Sequence, residues 1–435
     1  MSEKNFIVFV IALIFALPQL NAQSSFVSVK GRQFMLNNKP YYYIGANYWY
    51  GGLLALVEDP AHGRKRLTAE LDFLHAKGIN NLRVMAGVEG SGKVNGVSRV
   101  SPSLQPQQGL FDTALLSGLD FLLVEMGKRN MKAVLFLSNN WEWSGGFLQY
   151  LNWNGLLPDS IMRRKLTWDE NRDIVSQFYT CAPCMNAYYE QVKLIVGRTN
   201  SINKKAYNED PAIMAWELAN EPRPMRLPAV PHWEKWIAVA SALIRSMDAV
   251  HLITIGNEGS IGSENLKIFE RSQSIKNIDY LTIHIWPKNW GWFSDTSIGK
   301  SYDAIRQKTA TYVNDHIHVA NLLKKPLVIE EFGLPRDKQS FDPLTATDLR
   351  DKYFRLIFSL WNKSRLKGGA IGGCNFWGFS GSGRRAPDDY WWSKGDEYMT
   401  DPPSEEQGIN SVFDTDASTW KAITSFTEKI KLAKE

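Results

Sequence analysis

The chain has 435 residues, of which 44% are apolar and 22% charged, proportions that suit a globular protein with a sizeable core and exclude a disordered or fibrous one. Its formal net charge is only +5, and Lys and Arg are interleaved with Asp and Glu along the chain, so no nucleic-acid partner is expected.

In chain order, the first feature is Lys4 followed by an apolar run from Phe6 to Leu17, then Pro18 and the small residue Ala22 before Gln23. A run of about a dozen residues is too short to span a bilayer and has the layout of a cleavable leader. The expectation is a signal peptide over residues 1–22, one mature domain over 23–435, a secreted or periplasmic location and no membrane association after cleavage.

A hairpin is expected from Phe26 to Lys39, with Asn37-Asn38 as its turn. Beyond it, short apolar runs alternate with amphipathic stretches. The strand candidates are Tyr41–Ala46, Asn80–Met85, Lys132–Leu137, Ile213–Leu218, Leu252–Gly256, Tyr280–His284, Leu327–Glu331 and Gly369–Phe376, several rich in Ile, Val or aromatics. The helical stretches are Arg64–Lys77, Leu115–Arg129, Ala187–Thr199, Trp233–Val250, Ala304–Leu323, Leu344–Asn362 and Ser418–Leu432; after the fifth strand the helix is poorly defined.

Strand and helix alternating about eight times is the pattern of an α/β fold of the (β/α)8 TIM-barrel type, because parallel strands need crossover helices. A doubly wound sheet is the rival; it needs no stop at eight, and no Gly-rich phosphate loop follows the first strand. The segments Asn139–Ala187 and Phe379–Asp416 then stand as long loops at the carboxyl ends of strands, where a barrel builds its cleft.

The three cysteines are Cys181, Cys184 and Cys374. Cys181-Ala-Pro-Cys184 has redox-dithiol spacing without a thioredoxin-like surround, so a local disulfide or packed thiols is the reading; no second Cys or His pair at zinc spacing follows. The chain has 16 Trp, clustered in loop-like stretches such as Asn47–Tyr50, Trp141–Trp143 and Trp286–Trp292. Flat indole faces there suit the C–H faces of sugar rings, although buried aromatics also serve as core.

Two strand ends carry carboxylates: Ala215-Trp-Glu-Leu-Ala-Asn220-Glu221-Pro222-Arg223 at the fourth and Val328-Ile-Glu330-Glu331-Phe332-Gly333 at the seventh. In a closed barrel these ends face each other across one mouth. Two carboxyl groups about 5 to 5.5 Å apart suit glycoside cleavage with retention, one protonating the leaving oxygen and the other attacking the anomeric carbon. With no Asp/His ligand cluster beside either Glu, neither a metal nor another cofactor is expected. Strand alternation turns Glu330 to the opposite face from Glu331.

Asn220-Glu221-Pro222 with Glu331-Phe332-Gly333, each on the expected strand, resembles the paired signature of family 5 glycoside hydrolases over nearly the whole mature chain. The resemblance implies Glu221 as acid/base and Glu331 as nucleophile, with substrate-binding or supporting roles for Arg83, Asn220, His284 and Trp377. One departure is His284-Ile-Trp286, where the family usually has a Tyr; an indole donates a hydrogen bond but does not accept one.

Arg223 after Asn-Glu-Pro, Pro287 with Trp290, and the tail Asp401–Asp416 resemble the β-mannanase branch. That implies β-1,4-mannan, glucomannan or galactomannan as substrate. Physically, Arg223 suits hydroxyls on the leaving-group side, Trp141, Trp143 and Trp290 are candidate stacking platforms, endo cleavage fits an open cleft, and a monomer is the expected form. The alternatives are an endo-β-1,4-glucanase of the same fold and a carbohydrate-binding protein without catalysis.

Overall fold

The computed structural model describes residues 25–56, 59–294 and 297–432; the expected leader lies outside them. Eight short strands make one parallel sheet: β1 (Tyr43–Asn47), β2 (Asn81–Met85), β3 (Lys132–Phe136), β4 (Ile213–Glu217), β5 (Leu252–Thr254), β6 (Leu281–Ile285), β7 (Leu327–Phe332) and β8 (Ile371–Phe376). Their order is β5-β4-β3-β2-β1-β8-β7-β6, so neighbours in sequence are neighbours in space. Between β5 and β6 the continuous ladder gives way to single bonds: Asp279 N–H to the Ile253 carbonyl at 2.8 Å and Thr254 Oγ1 to the Tyr280 carbonyl at 3.0 Å. The result is a nearly closed (β/α)8 barrel.

Every residue of these strands is buried, since one face lines the barrel and the other lies under helices. The outer ring is α1 (Pro60–Ala76), α2 (Ala114–Lys128), α3 (Ala182–Val196), α4 (Val230–Met247), α5 (Leu266–Gln273), α6 (Ile298–Leu323), α7 (Asp348–Leu366) and α8 (Ala417–Leu432). The fifth helix, indistinct in the sequence, has only 8 residues, too few turns for a clear apolar stripe. Helix α3 starts ahead of the expected Ala187 because Cys181 caps it and Pro183 sits in its first turn. Cys181 and Cys184 form a disulfide across that turn, and Cys374 is buried as a free thiol.

The opening segment is a three-stranded meander, Ser28–Lys30, Gln33–Leu36 and Lys39–Pro40, rather than one hairpin. Asn37 and Asn38 (φ +53° and +59°) turn between its second and third strands. Phe34 from this lid packs with Tyr43, Val134, Met214, Tyr280 and Val328 to plug the amino-terminal end of the barrel.

At the opposite end, the segment after β3 carries the short helices Gly146–Trp153 and Trp168–Val175. The segment after β8 folds back over the ends of β1 and β2. It is held there by the Trp49 indole N–H on the Thr400 carbonyl at 2.6 Å, by Arg66 on the Tyr398 carbonyl at 2.9 Å and by the Arg66–Glu397 ion pair.

One expectation about strand faces is overturned. Between β6 and β7 the register passes from Ile283↔Ile329 to His284↔Glu331, leaving Glu330 unpaired in a bulge. A bulge interrupts alternation and re-aims a side chain, so Glu330 enters the barrel, with Oε2 3.7 Å from Arg83 Nε and 3.5 Å from His284 Nε2. Among the described residues, no helix is long and apolar enough to cross a membrane.

Candidate active site

Arg83 on β2 is the electrostatic centre of the barrel mouth. Its Nε and Nη2 donate to the two oxygens of Glu217 on β4 at 2.9 and 2.6 Å, its Nη2 to Asn220 Oδ1 at 2.7 Å, and its Nη1 to Asn47 Oδ1 at 3.2 Å and to Glu331 Oε1. A forked guanidinium can serve several carboxylates at once, which a lysine could not. Burying three carboxylates around a single cation is tolerable only because each is hydrogen-bonded or shares a proton.

Glu221 lies just past β4 at a φ of +51°, a left-handed conformation that costs an ordinary residue on the order of 1 kcal/mol. Its backbone N–H is fixed on the Gly256 carbonyl at 2.9 Å. Gly256 has a φ of +80°, and a Cβ there would lie 2.1 Å from Glu217 Oε1 and 2.2 Å from the Ala219 carbonyl oxygen. The carboxylate of Glu221 accepts the Trp141 indole N–H on Oε2 at 2.5 Å, and Oε1 is 2.6 Å from His284 Nδ1.

Glu331 on β7 presents its carboxylate to the same space. Besides the Arg83 contact, Oε2 accepts the Trp286 indole N–H at 2.9 Å and lies 3.3 Å from His284 Nδ1. The sixth-strand departure is thereby explained: the nucleophile candidate needs a donor at this place, and an indole supplies one. One ligand-type atom from each of Glu221, His284 and Glu331 lies within 4.8 Å of the others. The sequence shows no such grouping because His284 joins the two carboxylates only in the folded barrel. Two indole N–H groups are already aimed at the carboxylates of this trio.

Burial pushes the carboxyls of both Glu221 and Glu331 above the usual carboxylate range. For Glu331 the Arg83 guanidinium opposes the rise and the Glu221 charge adds to it; for Glu221 the Arg223 guanidinium and the Trp141 N–H oppose it. Desolvation alone therefore does not separate the two carboxyls. Hydrogen bonding differs between them: both oxygens of Glu331 accept N–H donors, one of them from a guanidinium, whereas Glu221 accepts one indole N–H, and two carboxylates this close share a proton. Burial also lowers His284 to about 4, so its ring is neutral at ordinary pH.

The expected residues converge on one cleft of about 550 Å³, lined by Trp141, Trp143, Asn220, Glu221, Arg223, Trp286, Trp290, Glu331 and Trp377. Arg83 and His284 lie beneath it, fully buried. Asn220 donates to Asn139 Oδ1 at 3.0 Å and accepts from Arg83, which orients its amide toward the cleft. Trp377 is buried against Trp286, and its indole N–H has no hydrogen-bond partner among the described residues. Trp143 is only 3% exposed and packs on Trp49, so it serves more as core than as an open platform.

Five groups escape the sequence reading. Glu258, past β5, binds both arms of Arg223, with Nη2 to Oε1 at 2.6 Å. The Arg223 guanidinium lies 5.0 Å over Trp141 and 5.7 Å over Trp168, so Trp168, half-exposed on its short helix, joins the aromatic wall. Glu405, with a carboxyl that burial and the Asp401 charge raise to about 7, closes the other side next to Asn289. Glu217 completes the Arg83 network and Glu330 enters by the bulge. Glu258 carried one signal in the sequence, a carboxylate just past a strand end.

Residues 24–435 match a family described as GH family 5 beta-mannosidase-like. Mannan endo-1,4-beta-mannosidase 4 of Solanum lycopersicum is 30% identical over 380 residues, 85% of this chain and 86% of its own. Mannan endo-1,4-beta-mannosidase 7 of Arabidopsis thaliana is 30% identical over 367 residues, 81% and 77% of the two chains. A glycoside hydrolase family 5 mannosidase from Rhizomucor miehei superposes with a TM-score of 0.84 at 31% identity, covering 94% of this chain and 99% of that one. An endo-beta-1,4-mannanase from Thermotoga petrophila shares the fold, with a TM-score of 0.67 at 21% identity over 92% and 79% of the chains.

Proposed function

The chain belongs to glycoside hydrolase family 5, and on that premise we propose that it is a retaining endo-β-1,4-mannanase acting on the backbones of mannan, glucomannan or galactomannan. The observation that carries the chemistry is the pair Glu221 and Glu331, with oxygens within 4.8 Å across the mouth of the barrel. Oxygens that close put the pair toward the short range of carboxyl separations, the one that favours double displacement. Glu331, anionic under Arg83 and Trp286, attacks the anomeric carbon while Glu221 protonates the departing oxygen. Glu221 then takes a proton from the water that releases the sugar from Glu331. Asn220 offers a donor to the 2-hydroxyl, Trp377 floors the reacting sugar, and Arg223 with Trp141, Trp168 and Trp290 lines the leaving-group side. The names of the relatives support the substrate. The apolar run before Gln23 supports export of a mature domain from residue 23.

A second reading, cleavage from a chain end, is favoured by one observation. The segment after β8 covers the ends of β1 and β2, and the cleft is lined only from strands β3 to β8 among the described residues.

Manno-oligosaccharide products followed by NMR test both. We expect internal cleavage with the retained β-anomer appearing first; release of single mannose units alone selects the chain-end reading. Immediate inverted anomer would overturn a nucleophilic Glu331, and hydrolysis of carboxymethylcellulose alone would overturn the mannan substrate. Glu331→Ala should lower kcat by about 10³-fold or more, with azide restoring turnover as an α-mannosyl azide.

A further inference from the structure

The bulge in β7 sends a further glutamate into the barrel that the double displacement does not use. Glu330 Oε2 lies 3.5 Å from His284 Nε2, its only hydrogen-bond partner among the described residues, while the other ring nitrogen lies 2.6 Å from Glu221 Oε1. The imidazole is fully buried and its backbone N–H is pinned on the Glu258 carbonyl at 3.0 Å. His284 is thus clamped between two carboxyl groups, one at each nitrogen.

A neutral imidazole is a donor at one nitrogen and an acceptor at the other. We propose that Glu330 is a positioning residue for the acid/base step: by accepting the Nε2–H of His284 it holds the tautomer whose bare Nδ1 accepts the proton of Glu221. The inference rests on the reading of Glu221 as acid/base. In the opposite tautomer Nδ1–H would donate to Glu221 and favour its anion, leaving no proton for the departing oxygen. Glu330 therefore selects the protonated form of the acid from a distance, as a second carboxylate orients a catalytic histidine elsewhere.

The charged and titratable groups facing this clamp are Arg83 from β2, Glu217 and Glu221 from β4 and its end, Glu258 past β5, and Glu331 beside Glu330 on β7. Tyr43 on β1 and Tyr280 ahead of β6 face Glu330. Burial and the Glu217 charge work to protonate Glu330, whereas Arg83 and the bond with His284 work to keep it ionised. Arg83, 3.7 Å away, is the nearest cation and supplies the counter-charge that the acceptor role requires.

Glu330→Met removes the acceptor and keeps the volume. Because a leaving group such as dinitrophenolate needs no proton, loss of acid catalysis spares it and a general structural defect does not. We expect kcat/KM on manno-oligosaccharides to fall at least about tenfold, dinitrophenyl β-mannoside to react within about threefold of wild type, and the basic limb of the oligosaccharide profile to move to lower pH. Glu330→Gln, whose amide oxygen accepts the same N–H, should retain most oligosaccharide activity. In wild type the nitrogen-15 spectrum should place the His284 proton on Nε2. Equal losses on both substrates, a Gln variant as impaired as Met, or a wild-type proton on Nδ1 would each overturn the proposal. Glu221→Ala is the separate control: if it fails to discriminate by leaving group, the acid/base reading itself falls.

Discussion

At the scale of single residues, the cleft works by giving each carboxylate a different set of donors. Glu331 has a guanidinium on one oxygen and an indole N–H on the other, so its anion is the favoured form although burial pushes its carboxyl upward. Trp286→Phe removes one donor and raises the Glu331 carboxyl further. Because attack needs the anion, the acid limb of kcat/KM should move to higher pH, and the rate at its optimum should fall about tenfold, or ~1.4 kcal/mol. Trp286→Tyr replaces the donor with a phenol and should recover most of that loss. A pH–rate profile of both variants checks the sign. Glu221, Glu331 and Asn220 were legible in the sequence as candidates because each sits within a short motif at a strand end, and Arg83, in the middle of its strand, only through the family resemblance. Glu217 was not: its partner Arg83 is 134 positions away, and no local pattern marks such a pair.

At the scale of elements, the site depends on how strands end and how helices return. The β5 end must let β4 come close, and Gly256 is the only way the chain manages this at Glu217 and Ala219. Gly256→Ala should destabilise the fold by about 2–4 kcal/mol, read as a lower urea midpoint, and should depress kcat because Glu221 loses its anchor. Below the barrel, Asp248 ends α4 and accepts from Trp216 Nε1 at 2.7 Å, from the His251 backbone N–H at 2.9 Å and from the Val250 N–H at 2.8 Å, with His251 Nδ1 at 2.6 Å. Burial works to raise this carboxyl, but those bonds win and hold it at about 2 against an ordinary 3.8. A depressed acid stabilises the fold above its unfolded pKa, here by about 2 kcal/mol, and the contribution is lost as pH falls through about 2. Asp248→Asn should therefore lower the unfolding midpoint clearly at pH 7 and less at pH 3. All eight strands were legible as apolar runs, but the bulge at Glu330 was not, since a run of buried residues reads the same with or without one extra.

At the scale of the molecule, the barrel is closed below by the lid and built upon above by the long loops. Phe34 fills the lower end among Tyr43, Val134, Met214, Tyr280 and Val328. Phe34→Ala should cost about 3–5 kcal/mol through the cavity it leaves, seen as a lower Tm. The kcat at a permissive temperature should stay near wild type, because Glu221 and Glu331 stand at the other end. The loops after β3 and β8 set the limits of the cleft, and with them the product pattern expected from oligosaccharides.

The amino-acid sequence alone was enough to specify the alternation of eight strands with helices and the two carboxylates at the ends of β4 and β7, because both are local: periodicity lies within about a dozen residues and each motif within a few. The tertiary structure alone decided which donors surround each carboxylate, that His284 bridges them, that Glu330 turns inward, and where the segment after β8 docks. Those are contacts between positions far apart in the chain, set by packing and by the sharing of buried charge, and no local pattern of residues encodes them.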